Sequence, residues 1–117
     1  MSADAPGKTD KPLTFISDPS NPVPTIGGAN LDLPAGPRDQ SPIEKRDDVL
    51  VFTTAPLDKP IEVTGPVTVE LYLTTDVVDT DITARLTDVY PDGRSMLLTD
   101  GILRASPVHH RRRGFEL

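Results

Sequence analysis

Val67-Thr-Val-Glu-Leu-Tyr-Leu-Thr74 sets Val67, Val69, Leu71 and Leu73 on one side of an extended chain and Thr68, Glu70, Tyr72 and Thr74 on the other. That is the period-two pattern of a half-buried strand. Further on, Ile82-Thr-Ala-Arg-Leu-Thr-Asp-Val-Tyr90 reaches Pro91-Asp92-Gly93-Arg94 and resumes as Ser95-Met-Leu-Leu-Thr99. Aspartate followed by glycine supplies the positive backbone angle that a hairpin turn demands. No helical period appears between Asp48 and Arg104, and nothing there resembles a catalytic centre. The pattern predicts antiparallel strands over 67–74 and 82–104, with the four apolar residues of the first facing the core. A register slip of one residue would bury Glu70 and expose all four. Apolar residues resume on both sides of Asp100-Gly101, which predicts a bulge there within one strand. Asp92 and Asp100, each beside a glycine, read as turn-shaping residues.

At 117 residues there is room for one small domain. Only 4% of residues are aromatic and none is tryptophan, so the supply of large core-forming side chains is thin. The thirteen prolines crowd the first half and break up regular elements there, which makes independent stability doubtful for so short a chain. The net charge of −6 argues against nucleic acid as a partner, because phosphate binding needs a surplus of Lys and Arg on one face. The basic cluster His109-His110-Arg111-Arg112-Arg113 reads either as an anion site or as a solvated strand end. The acidic remainder favours the second. Without cysteine there is no disulfide, no thiolate catalysis and no zinc–thiolate site, which is compatible with a cytoplasmic protein. No signal-peptide run is present and no stretch approaches a membrane span, so no membrane partner is expected.

Upstream of Asp48 the texture differs. Leu13-Thr-Phe-Ile16 is a short apolar piece suited to a strand or a docking segment. In Asp18-Pro-Ser-Asn-Pro-Val-Pro-Thr-Ile-Gly-Gly-Ala-Asn-Leu31 the prolines at 19, 22 and 24 remove backbone donors and fix φ near the polyproline value. This stretch should lie extended over a surface and bend at Gly27-Gly28. Leu33-Pro-Ala-Gly-Pro-Arg-Asp-Gln-Ser-Pro-Ile43 prolongs it, and loops of this length act as linkers or as wraps against a neighbour. Val49-Leu-Val-Phe-Thr-Thr54 is a β-branched and aromatic run, and Ile61-Glu-Val-Thr64 leads through Gly65-Pro66 into the strand at 67. Closely spaced short strands suggest a sandwich or jelly roll.

A serine hydrolase needs a nucleophile on a strand-to-helix elbow, a histidine base and a carboxylate to orient it. Gly93-Arg-Ser-Met-Leu97 begins like the elbow but lacks its second glycine and sits in a hairpin. Ser106, His109 and Asp100 have the right chemistry, yet neighbours on a strand end rarely converge on one reacting atom. Asp76, Asp79 and Asp81 offer calcium-type oxygens, but their spacing fits solvated turn formers better. Arg38-Asp39-Gln40, framed by prolines, reads as an ion pair or capping contact that anchors the loop. Its functional alternative is a reach toward a substrate cleft. No catalytic, cofactor-binding or metal-ligating residue is nominated.

Taken in order, several of these pieces resemble the Xaa-Pro dipeptidyl-peptidase/cocaine-esterase family of serine hydrolases. They are Asp18 to Leu31, Gly36-Pro-Arg-Asp-Gln-Ser-Pro-Ile-Glu44, Asp48-Val-Leu-Val-Phe-Thr-Thr-Ala-Pro-Leu57 and Gly65-Pro-Val-Thr-Val-Glu-Leu-Tyr-Leu73. Asp79 to Arg94 and Asp100-Gly-Ile-Leu-Arg104 follow. The order and spacing over roughly residues 12–104 make the likeness specific. Ser17 departs from it, since an aromatic residue is usual there.

The resemblance implies the C-terminal, non-catalytic part of such an enzyme. The expected fold is all-β: a partial jelly-roll sandwich of galactose-binding-like type over 48–117, preceded by a proline-rich crossing segment over 1–47. It further implies an upstream α/β-hydrolase domain that carries the Ser-His-Asp triad, with this chain supporting that domain and shaping its cleft. Several strands normally follow the Asp100–Arg104 stretch, so the jelly roll is expected to be truncated and to self-associate through uncovered strand edges. The alternative is a free-standing β-sandwich module that binds carbohydrate or protein.

Overall fold

The computed structural model describes residues 11–105 and 111–117, the strand 111–116 by its backbone. It is all-β, with no helix among the described residues, and so none long and apolar enough to cross a membrane. Four strands follow one another: β1 (Thr68–Leu73), β2 (Thr80–Val89), β3 (Ser95–Ala105) and β4 (Arg111–Glu116). They form two antiparallel pairs, β1 with β4 and β2 with β3. Thr68 lies opposite Glu116 and Leu73 opposite Arg111, and the Leu117 amide donates to the Val67 carbonyl at 2.8 Å. The alternation read from the sequence sets the faces of β1. Val69, Leu71 and Leu73 are half-buried, as is Val67 just before them, while Thr68, Glu70 and Tyr72 are exposed.

The β2–β3 hairpin closes where the Pro-Asp-Gly signal lies. The Gly93 amide donates to the Tyr90 carbonyl at 2.9 Å, and the Tyr90 amide to the Arg94 carbonyl at 2.8 Å. Pro91 supplies the fixed φ of the second turn position, and Gly93, at φ +89°, occupies the left-handed position that restores the ladder. Asp92 steadies the turn by accepting from the Arg94 amide at 3.1 Å and from Arg94 Nε at 2.8 Å. The Arg94 guanidinium lies 4.9 Å from the centre of the Tyr90 ring.

Two sequence expectations shift in detail. β3 is one continuous strand, but its extra residue is Leu98, since Thr99 pairs with Leu86 and Leu97 with Thr87. Asp100 and Gly101 lie in regular register opposite Arg85 and Ala84, so Asp100 shapes no turn. The bulge falls where β2 must change face. Ile82, Ala84 and Leu86 align with the inward residues Leu103, Gly101 and Thr99, after which Thr87 takes the place opposite buried Leu97. The second shift concerns 49–54 and 61–64. Both carry strand-forming residues, yet both lie outside the four strands, with Leu50, Val51, Phe52, Ile61 and Val63 all exposed. Leu13-Thr-Phe-Ile16 is likewise exposed and unpaired in any ladder.

Candidate functional site

The best-packed part of the molecule is where the proline-framed loop meets the start of β3. Ile43 and Leu97 are buried there, together with two polar residues, Gln40 and Ser95, each 1% exposed. Burying polar groups is tolerated only when they are hydrogen-bonded, and here the loop supplies most of the partners. The Gln40 amide donates to the Ser95 carbonyl at 2.7 Å, and the Leu97 amide to the Arg38 carbonyl at 3.0 Å. Asp39 pairs with Met96 in an antiparallel bridge, so residues 38–40 act as a short added strand along β3.

The side chains complete the clamp. Asp39 Oδ1 accepts from the Ser95 amide at 2.9 Å and the Ser41 amide at 3.0 Å, and Oδ2 accepts from Ser41 Oγ at 2.9 Å. These donors, the Ser95 amide first, hold the Asp39 carboxyl below its ordinary value, with a smaller contribution from the charge of Arg94. Gln40 Nε2 donates to the carbonyls of Ile26 at 2.8 Å and Arg38 at 3.0 Å. Its buried Oε1 has no partner among the described residues. Ser95 Oγ donates to Glu44 Oε1 at 2.6 Å. A short turn follows, with the Ile43 and Glu44 amides both donating to the Gln40 carbonyl, at 3.0 and 3.1 Å.

Behind the clamp the chain folds over itself. Gly28 and Gly36 exchange both backbone hydrogen bonds at 3.0 Å, which closes the loop between them. Gly27 and Gly28 take φ of +72° and +82°, the bend expected at this pair. Asn30 Nδ2 donates back to the Gly27 carbonyl.

The Arg38-Asp39-Gln40 triplet anchors the loop as the sequence suggests, but through a capping contact and backbone pairing rather than an ion pair. The roles of Glu44 and Arg46 escaped the sequence reading. Glu44 meets Ser95 from 51 positions away, and no local pattern marks such a pairing. Arg46 is bidentate to Asp48, Nε to Oδ1 and Nη2 to Oδ2 both at 2.7 Å, and this contact holds the Asp48 carboxyl below its ordinary value. The Arg-x-Asp spacing is the one local signal that could have drawn attention to it.

Ser95, beside the hairpin turn, hydrogen-bonds a carboxylate but is closed off from solvent, and no histidine among the described residues bonds it. Asp79 and Asp81 face Arg104 at 3.8 and 3.1 Å, which gives both carboxylates a partner within the chain. Asp100 lies mid-strand, while Ser106 and His109 lie outside the described residues.

A family model described as the X-Pro dipeptidyl-peptidase C-terminal non-catalytic domain matches residues 3–114. The chain is 49% identical over 98 residues to a cocaine esterase of Rhodococcus sp. (strain MB1 Bresler), a match covering 82% of this chain and 17% of that protein. Two mycobacterial proteins assigned as serine esterases, from Mycobacterium bovis and Mycobacterium tuberculosis, are each 46% identical over 63 residues. These matches cover 54% of this chain and 10% of each relative. No solved structure is a significant match. The matched region takes in the proline-rich wrap, β1 to β3 and the first four residues of β4, and the chain belongs to the family of X-Pro dipeptidyl-peptidase C-terminal non-catalytic domains.

Proposed function

We propose that this chain is the accessory β segment of an α/β-hydrolase that cleaves esters, amides or Xaa-Pro peptides. In this reading residues 1–47 cross from the catalytic domain, and 48–117 begin a jelly roll of galactose-binding-like type that braces that domain and forms part of its cleft wall. One observation carries it: a single family match spans residues 3–114, from the proline-rich wrap into β4, and the clamp at Asp39, Gln40 and Ser95 joins the wrap to β3. A wrap built into a domain in this way suits a segment that must hold a fixed position beside a neighbour. The exposed apolar residues of 50–63 give that neighbour a surface to cover.

Two experiments test the reading. The purified chain should be inert toward an activated ester, before and after treatment with a serine-directed phosphonate. Turnover abolished by the reagent, with label on Ser95 or Ser106, would place the catalytic apparatus here and overturn the proposal. Fused behind the hydrolase domain of the Rhodococcus relative, in place of the matching segment, the chain should raise that domain's unfolding temperature. An unchanged temperature would remove the bracing role.

A further inference from the structure

Residues 11–25 have little to hold them. Prolines at 12, 19, 22 and 24 bar them from a ladder, and every one of these residues is exposed except Val23, which is half-buried. Within the segment, the Asn21 amide donates to the Asp18 carbonyl at 3.0 Å and the Ser20 amide to Asp18 Oδ1 at 2.8 Å, forming a small turn. Among the described residues, its only hydrogen bonds to the rest of the molecule come from one side chain. Arg46 Nη2 donates to the Asn21 carbonyl at 2.7 Å, and Nη1 to Asn21 Oδ1 at 3.3 Å.

Arg46 is built for that grip. The Asp48 carboxylate takes one edge of its guanidinium through Nε and Nη2, which fixes the plane and leaves the outer edge aimed at Asn21. Its backbone is tied at both ends, with the Arg46 amide donating to the Ile43 carbonyl and the Val49 amide to the Arg46 carbonyl, both at 3.2 Å. Ile43 is part of the small core beside Leu97. A continuous set of contacts therefore runs from β3 through the clamp to Arg46 and out to Asn21. On the other side of Asn21, the rigid Pro22-Val23-Pro24 spacer leads to Ile26, whose carbonyl is held by Gln40.

We propose that Arg46 is the single clasp that docks this proline-rich strap, so that the strap has a docked and a released state and the docked state sets the heading of the chain before Asp18. Asp48 serves as the positioning residue for the clasp. The consequence for a preceding hydrolase domain rests on the function proposed above, but the clasp itself is read out on this chain alone, so the two can fail separately.

The test is backbone ¹⁵N relaxation on the full 117-residue chain. In the native chain Ser20, Asn21 and Val23 should have order parameters of about 0.8, falling below about 0.6 in Arg46→Lys and Arg46→Ala while the β2–β3 hairpin keeps its values. Lysine keeps the charge but cannot bond Asp48 and Asn21 with one planar group. Asn21→Ala, which spares the carbonyl contact, should leave the strap ordered. Retained order in either Arg46 variant overturns the proposal, and so does release by Asn21→Ala. If the Arg46 variants also lose the hairpin, the native chain decides. An Asn21 as rigid as the hairpin supports the clasp, and an Asn21 as mobile as Ser17 overturns it.

Discussion

At Gly27 an added methyl carbon would stand 2.5 Å from the Gly36 carbonyl oxygen and 2.8 Å from Arg38 Cγ, on a backbone already at φ +72°. Gly93 has a similar φ of +89° but open space around the same position. Gly93→Ala should therefore cost only the left-handed penalty, about 1–2 kcal/mol. Gly27→Ala should cost about 1–3 kcal/mol more, because the closed loop must open to admit the methyl group. Urea denaturation of the two variants side by side checks this, and equal losses would mean the loop yields. Asp39 governs the acid side. Its folded-state carboxyl is depressed by the Ser95 and Ser41 donors, so its stabilising contribution is present above its ordinary value of 3.8 and fades as pH falls through the lower folded value. Urea midpoints taken from pH 6 down to pH 3 should drop below about pH 4, and the drop should be smaller in Asp39→Asn. An identical profile in that variant would assign the acid sensitivity to other carboxylates, Asp48 and Asp92 among them, since both are depressed by arginine contacts.

At the scale of the element, the Leu98 bulge keeps Ser95 and Leu97 on the inward side while β2 changes face. Deleting Leu98 would turn Ser95 and Leu97 outward relative to Thr99–Ala105 and detach residues 38–40 from the strand. The expected loss is at least the burial of one leucine, about 1.5–3 kcal/mol. Leu98→Ala, at a residue 60% exposed, should change stability by less than about 0.5 kcal/mol. A deletion no more harmful than the alanine variant would show that the bulge is incidental. Alternation alone made β1 legible, and the Pro-Asp-Gly turn made the hairpin legible, because both are short-range facts about side-chain direction and backbone angle. The Arg38–Gln40 anchor was legible as a loop contact but not as an added strand. The run at 49–54 shows the opposite limit. Its residues favour a pleated surface, yet strand formation needs a partner strand, and propensity carries no information about whether one is present. The Glu44–Ser95 bond joins residues 51 positions apart, and the bulge answers to which residues of β2 and β3 must face inward together; neither shows in a short window of sequence.

For the molecule as a whole, surface area tells more than shape. The chain exposes 9652 Å², whereas a compact monomer of its size would expose about 6,200 Å². Its radius of gyration, 15.2 Å, likewise exceeds the roughly 13 Å expected for a closely packed domain of this length. Among the described residues the buried hydrophobic side chains are few, Ile43, Leu97 and Ala105, while two separate strand pairs present edges able to template further pairing. The isolated chain should therefore self-associate, or melt over a broad range with poor cooperativity. Sedimentation velocity and calorimetry check this, and a monomer with a sharp two-state transition would contradict it. One feature of the wrap makes the chain tolerant in a different sense. The two-way bond between Gly28 and Gly36 pinches off residues 29–35, and Leu31 at their tip meets only solvent. Apart from the Asn30 contact to Gly27, a change at the tip of such a loop is passed on only through the closing pair of bonds. A foreign peptide spliced between Leu31 and Asp32 should cost only about 0.6 kcal/mol for each doubling of the loop's length, leaving the hairpin's amide resonances in place. This bend is the natural insertion point for a tag, a probe or a new epitope.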